Sequence, residues 1–194
     1  MERLPLACEA FYDANFLDVG EANTLFDEIL TEFNVTNNTI KMADGSEHSA
    51  VLGSFTFTDV HLTSFDALPE VWGDRAPWTS SLAEVRDRLF QKTGIRFQVG
   101  RCIYYRNGAD GMAFHADLPA YGATDAIASL SLGAEREFLF RRCSDPSDRL
   151  SIVLASGSLL FMGQGCQENY EHSLPQAPHC NAARLNLTFR KYGW

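Results

Sequence analysis

The chain has 194 residues, of which 45% are hydrophobic and 21% charged, a composition typical of one globular domain rather than a disordered chain. Acidic side chains outnumber basic ones by 25 to 16, and the net charge of −9 argues against binding of duplex nucleic acid mainly through phosphate contacts. No apolar run approaches the roughly 18 residues that a membrane-spanning helix needs, so we expect no membrane contact.

The compartment follows from the first residues and the cysteines. The chain begins without a basic region and a long apolar stretch, so we expect no secretory signal. Its five cysteines include no Cys-x-x-Cys pair, which fits reduced thiols better than a disulfide framework or a zinc site. We therefore expect a cytoplasmic protein, and we expect a monomer.

The acidic excess lies entirely in the first half of the chain. Residues 1–97 hold 16 acidic and 7 basic side chains, whereas residues 98–194 hold 9 of each. This asymmetry indicates either an ordinary solvated surface or a half of the protein that does not face a polyanion.

Two helices are predicted in the first half. The first covers residues 19–33, where apolar residues recur at helical spacing and Asp18 with Glu21 forms a capping-box pattern. The second is capped by Ser80 and stopped by Gly94. Between the helices we predict, in chain order, a polar stretch with turn signals (34–50), strand-like alternation (51–62) and a long loop (63–78). The second helix covers residues 80–93.

The second half has a different character, because short strand-like runs alternate with turns. Such spacing predicts a β-sandwich or barrel, and we expect a jelly-roll with the helices packed on one side, an α+β fold. We predict one domain over 1–194, with helices and a lid region in 1–96 and the jelly-roll core in 97–190. The predicted strands are 97–105, 126–132, 137–142, 150–154, 158–162 and 184–190.

A metal site is suggested by His115 and Asp117. They lie two residues apart, so in an extended segment both side chains project from one face and can bind one ion. His172 is the best candidate for a third ligand, and two histidines with one carboxylate form the facial triad of non-haem Fe(II) oxygenases. His-x-Asp alone is a weak signal because it recurs by chance. The remaining histidines lack a carboxylate partner and are interpreted as loop or surface residues: His48, His61 and His179.

The last predicted strand adds two arginines. Arg184, Asn186, Thr188 and Arg190 alternate with apolar residues and share one face. If that face points into the barrel, the guanidiniums need anionic partners, and a dicarboxylate such as 2-oxoglutarate satisfies both. The alternative is an amphipathic edge strand whose polar side faces solvent.

These features resemble the AlkB-like branch of the Fe(II)/2-oxoglutarate dioxygenases. The match rests on His115-x-Asp117, His172 and the Arg-x-Asn-x-Thr-x-Arg strand at 184–190, and the last is specific to that branch. The Tyr-x-x-Gly segment starting at Tyr105 agrees as well. The resemblance is firm over about 97–190 and looser before it.

The resemblance implies that His115, Asp117 and His172 hold Fe(II), with no catalytic residue beyond these ligands. O₂ and 2-oxoglutarate would be consumed, giving succinate and CO₂ while a C–H bond of the substrate is hydroxylated. An alkylated nucleobase, in nucleic acid or a nucleotide, is the substrate class of the branch, and an N-methyl group oxidised in this way is lost as formaldehyde.

The resemblance also assigns the co-substrate residues. Arg184 would pair with the distal carboxylate of 2-oxoglutarate, aided by Tyr105. Arg190 would hold the C1 carboxylate, with Asn186 supporting the site. One usual contact is missing, because Ile103 stands where many members have Asn.

The substrate side departs from the branch. Asp117 is followed by Leu118 and Pro119, where members often carry acidic residues that contact the alkylated base. A planar substrate could stack on aromatic residues of the first half, although these residues could equally be core or loop anchors. The candidates are Phe55, Phe57, Trp72 and Trp78.

Two hypotheses follow for the substrate. The first is an alkylated base in single-stranded nucleic acid or a nucleotide, with weak binding of duplexes. The second is the same chemistry on a small molecule or a protein side chain, which the acidic first half and Leu118-Pro119 favour. A barrel without catalytic activity is a third reading, disfavoured because every metal and arginine position is intact.

Overall fold

The structure, a computed structural model, describes residues 1–41, 46–64 and 74–193. None of the helices within these residues is long and apolar enough to cross a bilayer. The elements up to residue 94 are β1 (Glu2–Arg3), β2 (Ala10–Asp13), α1 (Val19–Glu32), β3 (Thr39–Lys41), β4 (Glu47–Ser49), β5 (Gly53–Thr58), a 3-10 turn (Val60–Leu62), β6 (Arg75–Pro77) and α2 (Ser80–Thr93).

The second half is almost entirely β-structure. All six strands predicted there are present, with ends shifted by at most two residues. Two further strands lie outside the six predicted runs, at Met112–His115 and Tyr170–Leu174. The elements are β7 (Val99–Tyr105), β8 (Met112–His115), β9 (Ile127–Gly133), β10 (Arg136–Arg142), β11 (Arg149–Leu154), β12 (Leu159–Met162), α3 (Cys166–Asn169), β13 (Tyr170–Leu174) and β14 (Arg184–Arg190).

Two sheets face each other and form the predicted jelly-roll. The major sheet has the strand order β1-β2-β12-β9-β14-β7-β5-β6, and every pair in it is antiparallel except β5 with β6. The minor sheet has the order β11-β10-β13-β8. Between the sheets lies a cluster of buried residues that includes Phe138 and Phe140 from the minor sheet and Leu160 and Met162 from the major sheet.

The helices pack on the outer face of the major sheet, as predicted. The apolar face of α1 (Ala22, Leu25 and Ile29) and that of α2 share one core with β14. On β14 it is Leu185, Leu187 and Phe189 that face this core. The alternation of the strand therefore turns Arg184, Asn186, Thr188 and Arg190 inward, toward the space between the sheets.

The helix ends confirm most of the predicted caps. Asp18 accepts a hydrogen bond from the Glu21 N–H at 2.8 Å, and Glu21 accepts one from the Asp18 N–H at 2.9 Å, which completes the capping box. Gly94 ends α2 with a φ of 71°, in the left-handed region that glycine tolerates. The cap of α2 was wrong by one residue, because the Thr79 hydroxyl and not Ser80 accepts the Leu82 N–H.

Two segments interpreted as turns or loops contain short strands. The polar stretch 34–50 holds β3 and β4, which pair as a separate two-stranded sheet. The predicted loop 63–78 ends in β6, which adds to the edge of the major sheet beside β5. Both were missed because strands of three residues are too short for an alternating pattern to be recognised.

Candidate metal and co-substrate site

The register of β8 and β13 brings the three predicted metal ligands together. His115 is the last residue of β8, and it lies directly opposite His172 of β13. Asp117 follows two residues later, on the same side. Its carboxylate oxygens lie 4.0 Å from Nε2 of each histidine, and one ligand atom from each residue lies within 4.8 Å of the others. The three side chains are thus close enough to bind a single ion.

The surroundings of the histidines suit metal binding. Nδ1 of His115 lies 2.8 Å from the Ala113 carbonyl, and donation to that oxygen leaves Nε2 free to bind an ion. His172 is buried and stacks on Phe138 at 5.3 Å between ring centroids. This burial lowers the pKa of His172 to about 4, so its imidazole is neutral at physiological pH. Two imidazoles and one carboxylate are a ligand set that fits Fe(II) and leaves coordination positions for other ligands.

Asp117 is held by a residue that the sequence analysis did not single out. The backbone N–H of Asp117 donates to Oε1 of Gln167 at 2.8 Å, and Nε2 of Gln167 lies 3.7 Å from Sδ of Met162. Gln167 belongs to α3, 50 residues further along the chain. No spacing in the sequence marks such a contact, so only the folded chain reveals it.

A cavity of about 480 Å³ opens beside the ligands, between the two sheets. Its inner wall is apolar, with Phe138, Met162 and Leu174, whereas β14 contributes the polar side. Every residue predicted to bind the metal or the co-substrate lines this cavity: Tyr105, His115, Asp117, His172, Arg184, Asn186 and Arg190. The solvent-facing alternative for the polar face of β14 is therefore wrong.

Arg184 presents unused donors to the cavity. Its Nη2 donates to Ser131 Oγ at 3.0 Å and to Asn186 Oδ1 at 2.7 Å, while Nε and Nη1 have no hydrogen-bond partner among the described residues. Burial lowers the pKa of Arg184 to about 10, which still leaves it charged at pH 7. A buried cation with vacant donors requires an anion, so this end of the cavity fits a carboxylate.

Tyr105 lies beside this guanidinium, with its ring centroid 5.2 Å from Cζ of Arg184.

The Tyr-x-x-Gly segment that begins at Tyr105 depends on the close approach of Gly108 to another loop. A Cβ at Gly108 would lie 1.7 Å from the Ala177 carbonyl oxygen, so any larger residue would push the segment away.

Arg190 occupies the metal end of the cavity. Its Nη1 lies 3.8 Å from Oδ1 of Asp117, and its Nη2 donates to the Leu118 carbonyl at 2.7 Å. The two arginines of β14 thus sit at opposite ends, one beside Tyr105 and one beside the metal ligands. This arrangement fits an anion with two carboxylates, one of which would lie beside the residues that could hold the metal.

A third arginine faces the same cavity and was missed. Arg101 lies on β7 in line with Ile103 and Tyr105, and all three line the cavity. Its Nη1 donates to Oγ1 of Thr56 at 3.1 Å, and burial lowers its pKa. The signal was available, because residues two apart on a strand share a face and Tyr105 was already assigned to the site.

The aromatic residues predicted to stack a substrate are elsewhere. Phe55 and Phe57 are buried in the helix-side core and pack on Phe33 at 5.2 and 4.9 Å between centroids. Trp78 stacks on Phe189 at 5.6 Å, and its Nε1 donates to Asp59. They therefore fit the alternative interpretation as core anchors: the helices cover this face of β5, Trp78 packs against the same core, and none of the three lines the cavity. The fourth candidate, Trp72, lies outside the described residues.

The remaining histidines are exposed and do not line the cavity, in agreement with their interpretation as surface residues: His48, His61 and His179.

Residues 10–190 match the family model of the 2OG-Fe(II) oxygenase superfamily. The chain is 36% identical over 183 residues to the DNA oxidative demethylase ALKBH2 of Bos taurus, covering 89% of this chain and 65% of that protein. It is 34% identical to the human ALKBH2, covering 89% of this chain and 69% of the relative. With the bovine alpha-ketoglutarate-dependent dioxygenase alkB homolog 3 it shares 28% identity, over 90% of this chain and 63% of that protein.

The chain therefore spans 65% and 63% of the length of the two bovine relatives. Among solved structures, that of OsALKBH1 superposes with a TM-score of 0.62 at 15% identity, covering 97% of this chain and 100% of the other. At this identity the superposition demonstrates the shared fold only.

Proposed function

Because this chain belongs to the 2OG-Fe(II) oxygenase superfamily, we propose that it is an AlkB-like dioxygenase that oxidatively removes an alkyl group from a nucleobase. Membership of this family implies Fe(II) as the metal, 2-oxoglutarate as the co-substrate and O₂ as the oxidant. The substrate class is suggested by relatives that are named as DNA oxidative demethylases, and we propose a base in single-stranded nucleic acid or a nucleotide.

The observation that carries the proposal is one shared cavity. A His-Asp-His cluster lies at one end, and a buried guanidinium with vacant donors lies at the other. A purely structural role does not explain Arg184, because burial of a charge that has no anionic partner lowers the stability of the fold. The vacant Nε and Nη1 of Arg184 are donors that a carboxylate can accept.

The residues divide the work in a simple way. His115, Asp117 and His172 would hold the iron, which, with 2-oxoglutarate and O₂ bound, supplies the oxidation of a C–H bond. Arg184 would fix the distal carboxylate and Arg190 would neutralise the carboxylate next to the metal. The apolar wall around Phe138, which stacks on His172, limits the access of water to the metal end of the cavity.

A second candidate uses the same chemistry on a small molecule or a protein side chain. The mouth of the cavity favours it, because Leu118 lines the cavity with 71% of its surface exposed and is followed by Pro119. Neither residue offers a hydrogen-bonding side chain to a base edge. Ile103, inside the cavity, is likewise apolar. An apolar entrance accepts an alkyl group on many kinds of scaffold.

The test measures succinate and formaldehyde together. Purified protein with Fe(II), ascorbate and 2-oxoglutarate is incubated with a methylated single-stranded oligonucleotide, the unmethylated strand, or a methylated nucleotide. The proposal predicts formaldehyde equal in amount to succinate with a methylated substrate only. Succinate formation at the same low rate in all arms would exclude the nucleobase and favour the second candidate. His115→Ala serves as the inactive control.

We further propose a cytoplasmic protein, because the five cysteines include no Cys-x-x-Cys pair and their number and spacing fit reduced thiols. The monomeric state stays a prediction that size-exclusion chromatography with light scattering would test.

A further inference from the structure

Two cysteines from distant parts of the chain touch in the interior. Cys8 precedes β2, and Cys166 is the first residue of α3, 158 positions later. Both are buried, and their Sγ atoms lie 2.7 Å apart. A disulfide requires about 2.05 Å between the sulfurs. The two thiols therefore need to move by less than 1 Å to become bonded.

The backbones on both sides of this pair are already fixed to each other. The Gly163 N–H donates to the Glu9 carbonyl at 2.6 Å, and the Glu9 N–H donates to the Gln164 carbonyl at 3.1 Å. The Cys166 thiol lies 3.2 Å from the same Glu9 carbonyl. On the other side, the Ala7 N–H donates to the Tyr170 hydroxyl at 2.9 Å. The contact between the sulfurs is thus part of a preorganised junction and not a chance approach of two mobile side chains.

The junction also distinguishes the two thiols chemically. The hydrogen bond from Cys166 lowers the pKa of Cys8, while burial opposes this effect and Arg3 adds to it. The pKa of Cys166 is raised, chiefly by its hydrogen bond with Cys8. The lowered pKa favours the thiolate of Cys8, and the thiolate is the nucleophile in thiol chemistry.

We propose that Cys8 and Cys166 are a site of reversible oxidation, at which a hydroperoxide converts the two thiols into a disulfide. The Cys8 thiolate attacks the OH-bearing oxygen of the peroxide and the O–O bond breaks, which leaves a sulfenic acid on Cys8. The other oxygen leaves as alkoxide, or as hydroxide from hydrogen peroxide, and takes up a proton. Cys166 then displaces the sulfenic oxygen as water. In sum, two thiols and one hydroperoxide give one disulfide, with one water and one alcohol, or with two waters from hydrogen peroxide. The thiols lose the two electrons that the peroxide gains.

The bond acts as a clamp and leaves the metal site in place. It ties the N-terminal segment to α3, and the next residue of α3, Gln167, holds the Asp117 backbone at 2.8 Å. Since the sulfurs are already in contact, the bond closes with little movement of α3. The loop that it closes is long, so the disulfide stabilises the folded state by restricting the unfolded chain.

The test uses the full chain, freed of iron by a chelator so that peroxide does not react with the metal. After treatment with hydrogen peroxide, the protein is denatured, alkylated and mapped by mass spectrometry without reduction. We expect one linked pair of peptides, carrying Cys8 and Cys166, which dithiothreitol releases. Cys8→Ser and Cys166→Ser should lose this product, whereas Cys143→Ser, at an exposed cysteine, should retain it.

Thermal unfolding provides the second readout. The oxidised wild-type protein should melt about 5 °C or more above the reduced protein, and the shift should vanish with dithiothreitol and in Cys8→Ser. Failure of the linked peptides to form in folded wild-type protein would overturn the proposal, and so would pairing of Cys8 with several cysteines. A lower melting temperature of the linked form would overturn the inference that the disulfide stabilises the folded state. None of these results depends on dioxygenase activity.

Discussion

The side-chain oxygen of Gln167 accepts a hydrogen bond from the backbone N–H of Asp117, at 2.8 Å. This contact joins a four-residue helix to the loop that carries the carboxylate ligand. Asp117 sits just beyond the end of β8, where no strand ladder fixes its backbone. Gln167 is therefore a positioning residue for the metal site, acting through Asp117.

Gln167→Leu should weaken metal binding, because the Asp117 backbone loses its only side-chain acceptor among the described residues. Loss of such a supporting contact typically costs 10- to 100-fold in metal affinity, and we expect about tenfold here. The measurement is titration with Mn(II), followed by electron paramagnetic resonance. At saturating Fe(II), kcat should recover toward the wild-type value, which separates positioning from a general structural defect. Glu168→Gln, at the exposed neighbouring residue, should bind Mn(II) normally. Unchanged affinity in Gln167→Leu would contradict the assignment.

His115→Ala should abolish iron retention and the turnover of 2-oxoglutarate. The remaining two ligands cannot hold Fe(II) in the facial arrangement. The protein should still fold, because the His115 side chain is 37% exposed and leaves little cavity. Iron retained after anaerobic gel filtration, together with succinate formation, measures both effects. His179→Ala, at an exposed histidine, is the matched control. Wild-type turnover in His115→Ala would remove His115 from the metal site.

Arg184→Leu should raise the apparent KM for 2-oxoglutarate. A charge-assisted hydrogen bond contributes roughly 1.5–3 kcal/mol, which corresponds to about 10- to 150-fold in KM. Arg184→Lys keeps the charge but loses the planar fork, so its KM should lie between those of the wild type and Arg184→Leu. Initial rates of succinate formation over a range of 2-oxoglutarate concentrations give both values. Because Arg184 is fully buried, the fold of each variant should first be checked by circular dichroism.

Glu21→Gln should reduce stability at neutral pH and lose this effect in acid. Glu21 lies between the helices, where Arg88 holds its carboxylate at 2.7 Å, and this hydrogen bond, with one from the Asp18 N–H, lowers the pKa of Glu21 to about 2. The carboxylate stabilises the folded state above the unfolded pKa of 4.5, and this contribution is lost as pH falls from there toward 2.

The size of the Glu21 effect is small because both side chains are 40% exposed. We expect a decrease of about 0.5–1 kcal/mol in the free energy of unfolding at pH 7, measured by urea denaturation. Glutamine still accepts the Asp18 N–H, so the cap is preserved and only the charged contact is removed. A difference between variant and wild type that stays constant from pH 7 to pH 3 would argue against the ion pair.

Duplex DNA should bind weakly, with a Kd above about 10 µM at roughly 150 mM salt. The basic residues that could have formed a phosphate-binding patch are mostly neutralised by acidic partners. The pairs are Arg86 with Asp59, Arg88 with Glu21, Lys92 with Asp13, Arg141 with Glu171, and Arg142 with Asp148. Fluorescence anisotropy with an unmodified 20-mer duplex tests the prediction. Sub-micromolar affinity with a steep salt dependence would show that the charge balance is misleading and would favour a repair substrate.

The local sequence determined the helices, the major strands and the polar face of β14, because alternation and capping depend on residues close in the chain. His115 and Asp117 could be predicted as a pair for the same reason, since two residues on an extended segment share a face. Arg184 and Arg190 followed from one strand. Arg101 could have been predicted in the same way, because it shares one face of its strand with Tyr105.

Only the tertiary structure decided which face of β5 and which loops meet the site. Phe55 and Phe57 lie on one face of a strand and were predicted to stack a planar substrate, yet the packing of α1 and α2 buries them. The opposition of His115 and His172 depends on the register of β8 against β13, 57 residues apart. The contacts of Gln167 with Asp117 and of Cys8 with Cys166 join segments that are remote along the chain. Periodicity reports on neighbours in sequence, whereas contacts between distant segments are fixed by how the two sheets and the helices pack as a whole.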